Sequence, residues 1–237
     1  MTRIVCSAAT DVGRVRKVNE DSHLSLPDRL LWLVADGMGG HAAGDLASAM
    51  VRDTVAMVPK GLAPADKLQA VRRAILDAHD RIGALARARG DLVIGTTVAA
   101  LILSEDHFAV LWAGDSRVYL WRGGALEPLT CDHSVPGDLV MAGALTWEEA
   151  ERHPQANVIT RAVGVGEELM LDKVRGELHP GDRFLLCSDG LTKHVPAAGL
   201  AEILSATATE DAARVLVARA LAAGGSDNVT AIVVAAV

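Results

Sequence analysis

Short apolar runs alternate along this chain with longer Ala-rich segments in which apolar residues recur at helical spacing. The short runs are rich in Val, Ile and Leu and predict β-strands. These strands span residues 3–10, 30–35, 96–103, 108–113, 118–122, 171–178, 184–188 and 229–234. Short Gly- and Asp-containing links join the candidates between Thr96 and Leu129, which predicts an antiparallel meander.

The Ala-rich segments predict helices. The longest begins at Pro64, a residue favoured in the first helical turn, and its large apolar residues fall on one face. That face consists of Leu68, Val71, Ile75, Ile82 and Leu85. Two more helices are predicted at about 45–58 and 210–222.

A polar stretch punctuated by Gly and Pro runs from Asp132 to Gly166. It contains a short predicted helix at 146–152, where Thr146 and Glu149 have the spacing of a capping box. We expect an ordered flap at about 132–166 within a single domain that spans 1–237. The whole pattern predicts an α+β fold in which antiparallel sheets pack on each other and helices cover their outer faces.

Composition and charge narrow the classes of function. Of the 237 residues, 50% are hydrophobic and 22% are charged, which is typical of a soluble globular protein. The net charge of −7 offers no basic surplus for nucleic acid or an anionic membrane, and no apolar run is long enough to cross a bilayer. Cys6, Cys131 and Cys187 are too scattered for a disulfide framework or a CxxC metal site. With no export signal at the N-terminus, we expect a cytoplasmic protein.

Four aspartates lie at the ends of predicted strands. Asp36, Asp115 and Asp189 each follow a strand and adjoin a glycine, and Asp227 precedes the last strand. If these ends meet at one edge of packed sheets, the carboxylates need cations to neutralise them. Ligands that are all oxygen favour Mg²⁺ or Mn²⁺ over Zn²⁺ or copper. Taken singly, an Asp-Gly pair also fits an ordinary turn, and calcium binding without catalysis fits the same cluster.

Several segments resemble the motifs of the bacterial type 2C metal-dependent Ser/Thr protein phosphatases, the PPM family. They are residues 10–22, 35–44, 95–97, 113–119, 187–191 and 225–230. A further stretch, from Asp132 to Gly164, resembles the family's flap region. The resemblance covers the whole chain with its motifs in the family's order. It implies a four-layer α-β-β-α sandwich, with two antiparallel sheets at the centre and helices on both outer faces.

The resemblance also implies a metal centre with two Mg²⁺ or Mn²⁺ ions. Asp36 would bridge both ions, and Asp189 and Asp227 would complete the protein ligands of one of them. The backbone carbonyl of Gly37 would bind the other ion. Asp115, together with Asp189, resembles the site of a third, weaker ion in bacterial members.

Other residues take roles around these ions by the same resemblance. Glu20 and Asp21 would hold metal-bound waters, and Arg16 would bind the substrate phosphate through its planar guanidinium. Met38 departs from one branch of the family, in which a histidine follows the Asp-Gly pair. His41 fits a local hydrogen-bonding role better than that of a general acid.

The implied activity is hydrolysis of phosphoserine and phosphothreonine monoesters by a water that two metal ions activate. The implied partners are phosphorylated proteins and a cognate Ser/Thr kinase in bacterial signal transduction, and we expect a monomer. Two alternatives stay open. One is a phosphohydrolase of small molecules at the same metal centre, and the other is a non-enzymatic metal-binding sensor of the same fold, which the retained aspartates disfavour.

Overall fold

Two antiparallel β-sheets lie face to face in the computed structural model of the chain, which describes residues 3–39, 43–90, 92–146, 149–150, 153–155 and 158–237. The strands are β1 (Ile4–Asp11), β2 (Asp21–Leu26), β3 (Leu31–Gly39), β4 (Ile94–Thr96), β5 (Val98–Leu103), β6 (His107–Ala113), β7 (Arg117–Arg122), β8 (Ala125–Pro128), β9 (Asp172–Glu177), β10 (Arg183–Cys187) and β11 (Val229–Ala236). Sheet I has the strand order β1-β11-β10-β7-β8. Sheet II has the order β2-β3-β5-β6-β9, with β4 paired to β3.

Helices cover the outer faces of both sheets. They are α1 (Gly44–Ala56), α2 (Pro64–Ala88), α3 (Val135–Met141), α4 (Asp189–Thr192), α5 (Ala197–Ala206) and α6 (Thr209–Ala222). Helices α1 and α2 pack on sheet II, and α4, α5 and α6 pack on sheet I. The predicted four-layer α-β-β-α sandwich is therefore confirmed.

Three hydrophobic cores separate the four layers. Strand β3 shows how one sequence serves two of them: Leu31 and Leu33 face the helices, and Trp32 and Val34 face sheet I. None of these four side chains is exposed to solvent. A strand buried on both faces needs a continuous apolar run, which explains the unbroken runs in the sequence. Each such side chain contributes about 1.5–3 kcal/mol of transfer free energy.

The predicted apolar face of the long helix is confirmed. Val71, Ile75 and Ile82 of α2 have no solvent exposure, and Leu68 and Leu85 pack at the margin of the same core.

Two details of the strand prediction are wrong. The predicted strand 96–103 is divided at Thr97, whose backbone N–H donates to the carbonyl of Asp36 instead of continuing a strand. The predicted meander ends at Ala113, because the chain then crosses from sheet II to sheet I and β7 pairs with β10. Strands β2 and β8 and helices α3, α4 and α5 were not predicted. Both of these strands lie at a sheet edge, where few consecutive apolar residues are needed.

The region 132–166 contains helix α3, which begins at a Ser134 cap whose hydroxyl accepts the Gly137 N–H at 3.1 Å. The reciprocal bonds of the predicted capping box are present. The Thr146 N–H donates to Glu149 Oε2 at 2.8 Å, and the Glu149 N–H donates to Thr146 Oγ1 at 3.3 Å. Residues 147, 148, 151 and 152 of the predicted helix lie outside the described residues.

The three cysteines are free thiols, as the sequence predicts. Over the part of the chain that the structure describes, no helix has both the length and the apolar character needed to span a membrane.

Candidate active site

Strand ends from both sheets meet around one cavity of about 300 Å³. Asp36 lies in β3 of sheet II, Asp189 follows β10 and Asp227 precedes β11 of sheet I, and Asp115 lies in the link that crosses from β6 to β7 between the sheets. Glu20, just before β2, also lines the cavity. Carboxylates from five distant points of the sequence therefore face a single space.

The backbone of Asp36 is held on both sides by two threonines. Its N–H donates to Thr97 Oγ1 at 2.9 Å, and its carbonyl accepts the Thr97 N–H at 2.8 Å and the Thr96 hydroxyl at 2.9 Å. These bonds fix the main chain of Asp36 and leave its carboxylate free to face the cavity.

Gly37 permits the close approach of three segments. Its N–H donates to the Glu20 carbonyl at 3.1 Å. A Cβ at this position would lie 2.1 Å from the Gly44 carbonyl oxygen and 2.6 Å from that of Glu20. Only glycine therefore allows α1 to begin against the strand that carries Asp36.

Asp21 lies behind the cavity and connects the two sheets. Its Oδ2 accepts hydrogen bonds from Ser188 Oγ at 2.7 Å and Thr230 Oγ1 at 2.6 Å, both from sheet I segments. Its Oδ1 is buried and has no hydrogen-bond partner within the part of the chain that the structure describes. Burial raises the pKa of Asp21 to about 7, although the two hydroxyl donors oppose the shift.

The same crowding affects the cavity carboxylates. Burial, followed by repulsion from Asp21, Asp189 and other carboxylates, raises the pKa of Asp36 well above its usual range. Burial and the neighbouring Asp189 raise the pKa of Asp115 to about 7. Such a cluster is stable in ionised form only when cations neutralise it.

Two basic side chains contact the sheet I aspartates. Arg16 donates from Nε to Asp227 Oδ1 at 2.8 Å and from a terminal nitrogen to Oδ2 at 3.1 Å. Lys193 Nζ lies 2.6 Å from Asp189 Oδ2 and 3.1 Å from Asp227 Oδ2. Burial favours the neutral form of Asp227, but hydrogen bonds from Arg16 and Lys193 outweigh it and lower the pKa of this carboxyl.

Asn228 fixes the loop that carries Arg16 and Glu20. Its buried side-chain amide donates to the carbonyls of Val12 and Val18 at 2.9 and 3.0 Å, and its Oδ1 accepts the Glu20 N–H at 2.8 Å. One side chain therefore ties both ends of the loop to the turn that presents Asp227.

The region 132–166 supplies part of the cavity wall. Ile159 lines the cavity and pairs with Ser134 in an isolated β-bridge. His133 holds the start of this region against the loop of Asp115. Its ring Nδ1 accepts the Gly114 N–H at 3.1 Å, and its backbone N–H donates to the Gly114 carbonyl at 3.0 Å.

Comparison with known proteins places the chain in a family. The family model described as Protein phosphatase 2C matches residues 14–223. The chain belongs to the protein phosphatase 2C family. A curated relative, the serine/threonine phosphatase stp of Listeria monocytogenes, is 36% identical over 234 residues, which cover 95% of this chain and 93% of the relative.

Solved structures of phosphatases have the same fold. PppA, described as a key regulatory component of T6SS in Pseudomonas aeruginosa, superposes with a TM-score of 0.92 at 41% identity, over 99% of this chain and 98% of that one. The catalytic domain of the serine/threonine protein phosphatase PstP, solved in complex with two manganese ions, gives a TM-score of 0.86 at 36% identity over 100% of both chains. The predicted family is confirmed, and this phosphatase 2C is a metal-dependent protein phosphatase.

The donors in this phosphatase suit divalent ions. Five carboxylates and two basic side chains surround the cavity, and the buried Asp189 Oδ1 has no hydrogen-bond partner among the residues that the structure describes. Carboxylate oxygens are the ligands that Mg²⁺ and Mn²⁺ prefer. As arranged, no three His, Cys, Asp or Glu side chains of the described residues are grouped to hold one ion, and Asp227 is paired with Arg16 and Lys193. An ion that used the Asp227 carboxylate would have to displace Arg16 or Lys193 from it.

Nearly all of the residues singled out in the sequence of this phosphatase line the cavity. They are Arg16, Glu20, Asp36, Gly37, Asp115, Asp189 and Asp227. Asp21 stands behind the cavity, and His41 lies outside the described residues. Met38 lines the cavity where one branch of the family has histidine.

Sequence reasoning missed Lys193, Asn228 and Thr97 as parts of the site. For Lys193 a signal exists, because it stands four residues after Asp189, the spacing at which helical side chains meet. Helix α4 was not predicted, so the helical spacing of Asp189 and Lys193 was not recognised.

Proposed function

We propose that this chain hydrolyses phosphoserine and phosphothreonine monoesters of proteins with two Mg²⁺ or Mn²⁺ ions held by its cavity carboxylates. The observation that carries the proposal is the meeting of five carboxylates and the Arg16 guanidinium around one cavity. A phosphomonoester brings further negative charge, which this site accepts only with added positive charge. When bound, the ions supply that charge and a water of lowered pKa that attacks phosphorus.

Four residues would hold the ions. Asp36, whose backbone is fixed by Thr97, would contact both ions through its carboxylate. Asp189 and Asp227 would complete the ligands of one ion, and the Gly37 carbonyl would contact the other. The Asp189 Oδ1 supports this assignment, because it is buried without a donor among the described residues and a cation is one partner that would satisfy it.

Glu20 and Asp21 would act from behind these ligands, through water. Glu20 lines the cavity, and the buried Asp21 Oδ1 has no protein donor. Both carboxylates can accept hydrogen bonds from waters around the ions and so orient them.

Arg16 would bind the phosphate oxygens. Its guanidinium stands at the cavity wall, its side chain is 52% exposed, and its planar fork matches two phosphate oxygens. The Arg16 guanidinium pairs with the Asp227 carboxylate, so phosphate binding requires Arg16 to leave that carboxylate and pair with the phosphate. This exchange frees Asp227 at the same time as it provides the phosphate with a donor.

The flap at about 132–166 would contact the protein part of the substrate within a single catalytic domain spanning 1–237. Ile159 already reaches the cavity wall, and the bridge between Thr96 and Val163 fastens the far end of the flap to β4. Loops held at the edge of a rigid scaffold are where selectivity generally lies.

The substrates of a protein phosphatase are phosphorylated proteins, and a cognate Ser/Thr kinase would produce them. We propose a role in bacterial signal transduction for a monomer in the cytoplasm. The net charge of −7 favours neither a nucleic acid nor an anionic membrane as partner.

The proposal is tested with a phosphothreonine peptide in Mn²⁺, with and without EDTA. We expect activity only without the chelator, and a loss of at least about 10³-fold in Asp36→Asn. Asp53→Asn, an exposed carboxylate on α1, is the matched control and should retain full activity. Activity that survives both EDTA and Asp36→Asn would contradict the proposal.

Substrate comparison separates the alternatives. Faster turnover of nucleotides or sugar phosphates than of phosphopeptides would favour a small-molecule phosphohydrolase on the same metal centre. Inactivity on every phosphoester with Mn²⁺ fully bound would contradict the proposal.

A further inference from the structure

Lys193 places a fixed positive charge among the carboxylates that the proposed function assigns to metal ions. It directly follows the short helix α4, four residues after Asp189, so the two side chains lie on the same side of the turn. Its Nζ lies 2.6 Å from Asp189 Oδ2 and 3.1 Å from Asp227 Oδ2, and it lines the same cavity as Asp115.

An ammonium and a divalent ion compete for the same oxygen lone pairs. The two oxygens next to Lys193 belong to Asp189 and Asp227, while the other oxygen of Asp189 is buried without a partner. The two oxygens of Asp189 therefore differ: Lys193 occupies Oδ2, whereas the buried Oδ1 has no partner among the described residues. By the family resemblance a third ion would lie between Asp115 and Asp189, which line the same cavity, and Lys193 already holds one of the two Asp189 oxygens that such an ion could use.

The sum of charges around the cavity also favours two divalent ions over three. Five carboxylates and the cations of Arg16 and Lys193 leave three negative charges around the cavity. Two divalent ions more than offset this excess and leave the site ready for an anionic phosphate. A third divalent ion next to the lysine would have to approach a like charge at close range.

We infer that Lys193 is a tethered cation that takes the place of a third divalent ion beside Asp115 and Asp189, so that the chain binds two ions rather than three. The inference rests on the proposed two-ion function. The Lys193 side chain is 29% exposed, so replacing Lys193 removes the charge without opening a buried core.

The test counts Mn²⁺ bound per chain, from the electron paramagnetic resonance signal of free Mn²⁺ during titration. We expect two ions for the wild type, and a third, weaker ion in both Lys193→Met and Lys193→Gln. Lys193→Arg keeps a cation and should bind two. Lys173→Met removes an exposed lysine on β9 and is the matched control, also expected to bind two.

Three outcomes decide the matter. Three ions in the wild type would overturn the inference, and so would two ions in both neutral variants with native circular dichroism. Fewer than two ions in the wild type would overturn the proposed two-ion function itself. The first two results leave the proposed function intact, so the two failures are distinguishable.

Discussion

Asp21 and Asp36 lie directly opposite each other on the antiparallel strands β2 and β3. Like charges in this relationship repel, and burial adds to the cost of ionising them. Burial raises the pKa of Asp21 to about 7 and the pKa of Asp36 well above its usual range. Without metal, the pair opposes folding at alkaline pH.

Replacing Asp36 by Asn should therefore stabilise the metal-free protein. In EDTA at pH 8 we expect Asp36→Asn to raise the free energy of unfolding by roughly 2 kcal/mol, because one of two close like charges is removed. Raised folded-state pKa values mean that the wild type regains stability as the pH falls through about 7, so the difference should shrink at pH 6.

Thermal melts in EDTA and in Mn²⁺ provide the check. Mn²⁺ should raise the melting temperature of the wild type and leave that of Asp36→Asn almost unchanged. A variant less stable than the wild type in EDTA at pH 8 would show that the pair does not repel.

Arg16→Ala should impair substrate handling without loss of the metal ions. We expect kcat/KM for a phosphothreonine peptide to fall about 10²-fold, equivalent to roughly 3 kcal/mol of charge-assisted hydrogen bonding. Mn²⁺ stoichiometry should be retained, because Arg16 competes with ions for Asp227 rather than holding them. Arg14→Ala, an exposed arginine that donates to the Leu221 carbonyl, is the control. Equal kcat/KM in both variants would remove Arg16 from its assigned role.

Asn228→Ala should loosen the loop that carries Arg16 and Glu20. Two carbonyls and one N–H lose their partner, which should cost on the order of 3 kcal/mol in the free energy of unfolding. We also expect a lower kcat/KM, because Arg16 is no longer held at the cavity. Urea unfolding and peptide kinetics measure the two effects. An Asn228→Ala variant with unchanged stability would show that the Asn228 hydrogen bonds do not hold the loop.

Gly37→Ala should destabilise the fold by about 3 kcal/mol or more, since its Cβ would overlap two backbone carbonyls. Gly83→Ala is the matched control in the interior of α2, where the nearest atom to a new Cβ is the end of the Arg87 side chain at 3.4 Å. That change should stabilise by roughly 0.5–1 kcal/mol through helix propensity. Similar unfolding curves for the two variants would contradict the close packing at Gly37.

Central strands and long helices were predictable because burial imposes a pattern on their residues. The run from Leu31 to Ala35 is apolar without a break, since helices cover one face and sheet I the other. Strand β2 escaped prediction because it is an edge strand whose residues Asp21 to Leu26 mix polar and apolar side chains. Helix α3 carried a usable signal in its Ser134 cap followed by Pro136.

The carboxylates of the site were predictable from their position at strand ends, but their partners were not. Asp36 and Asp189 follow the apolar runs of β3 and β10, so their convergence follows from the packing of the two sheets. The hydrogen bonds of Asn228 and the ion pairs of Lys193 join residues that are distant in sequence or close only in a helix. Such contacts depend on loop geometry that a pattern of hydrophobic positions does not encode.

Asp36 belongs to sheet II, Asp189 and Asp227 adjoin strands of sheet I, and Asp115 lies in the link between the sheets, so the boundary between the sheets runs through the centre of the site. That boundary is filled by side chains such as Phe108 of sheet II and Phe184 of sheet I, whose rings meet edge to face with centroids 5.1 Å apart. The packing inside the sandwich therefore sets the distance between Asp36 on one sheet and Asp189 and Asp227 on the other. A change of shape among these rings would shift the sheets relative to each other and so alter the geometry of the proposed metal site without replacing any of its residues.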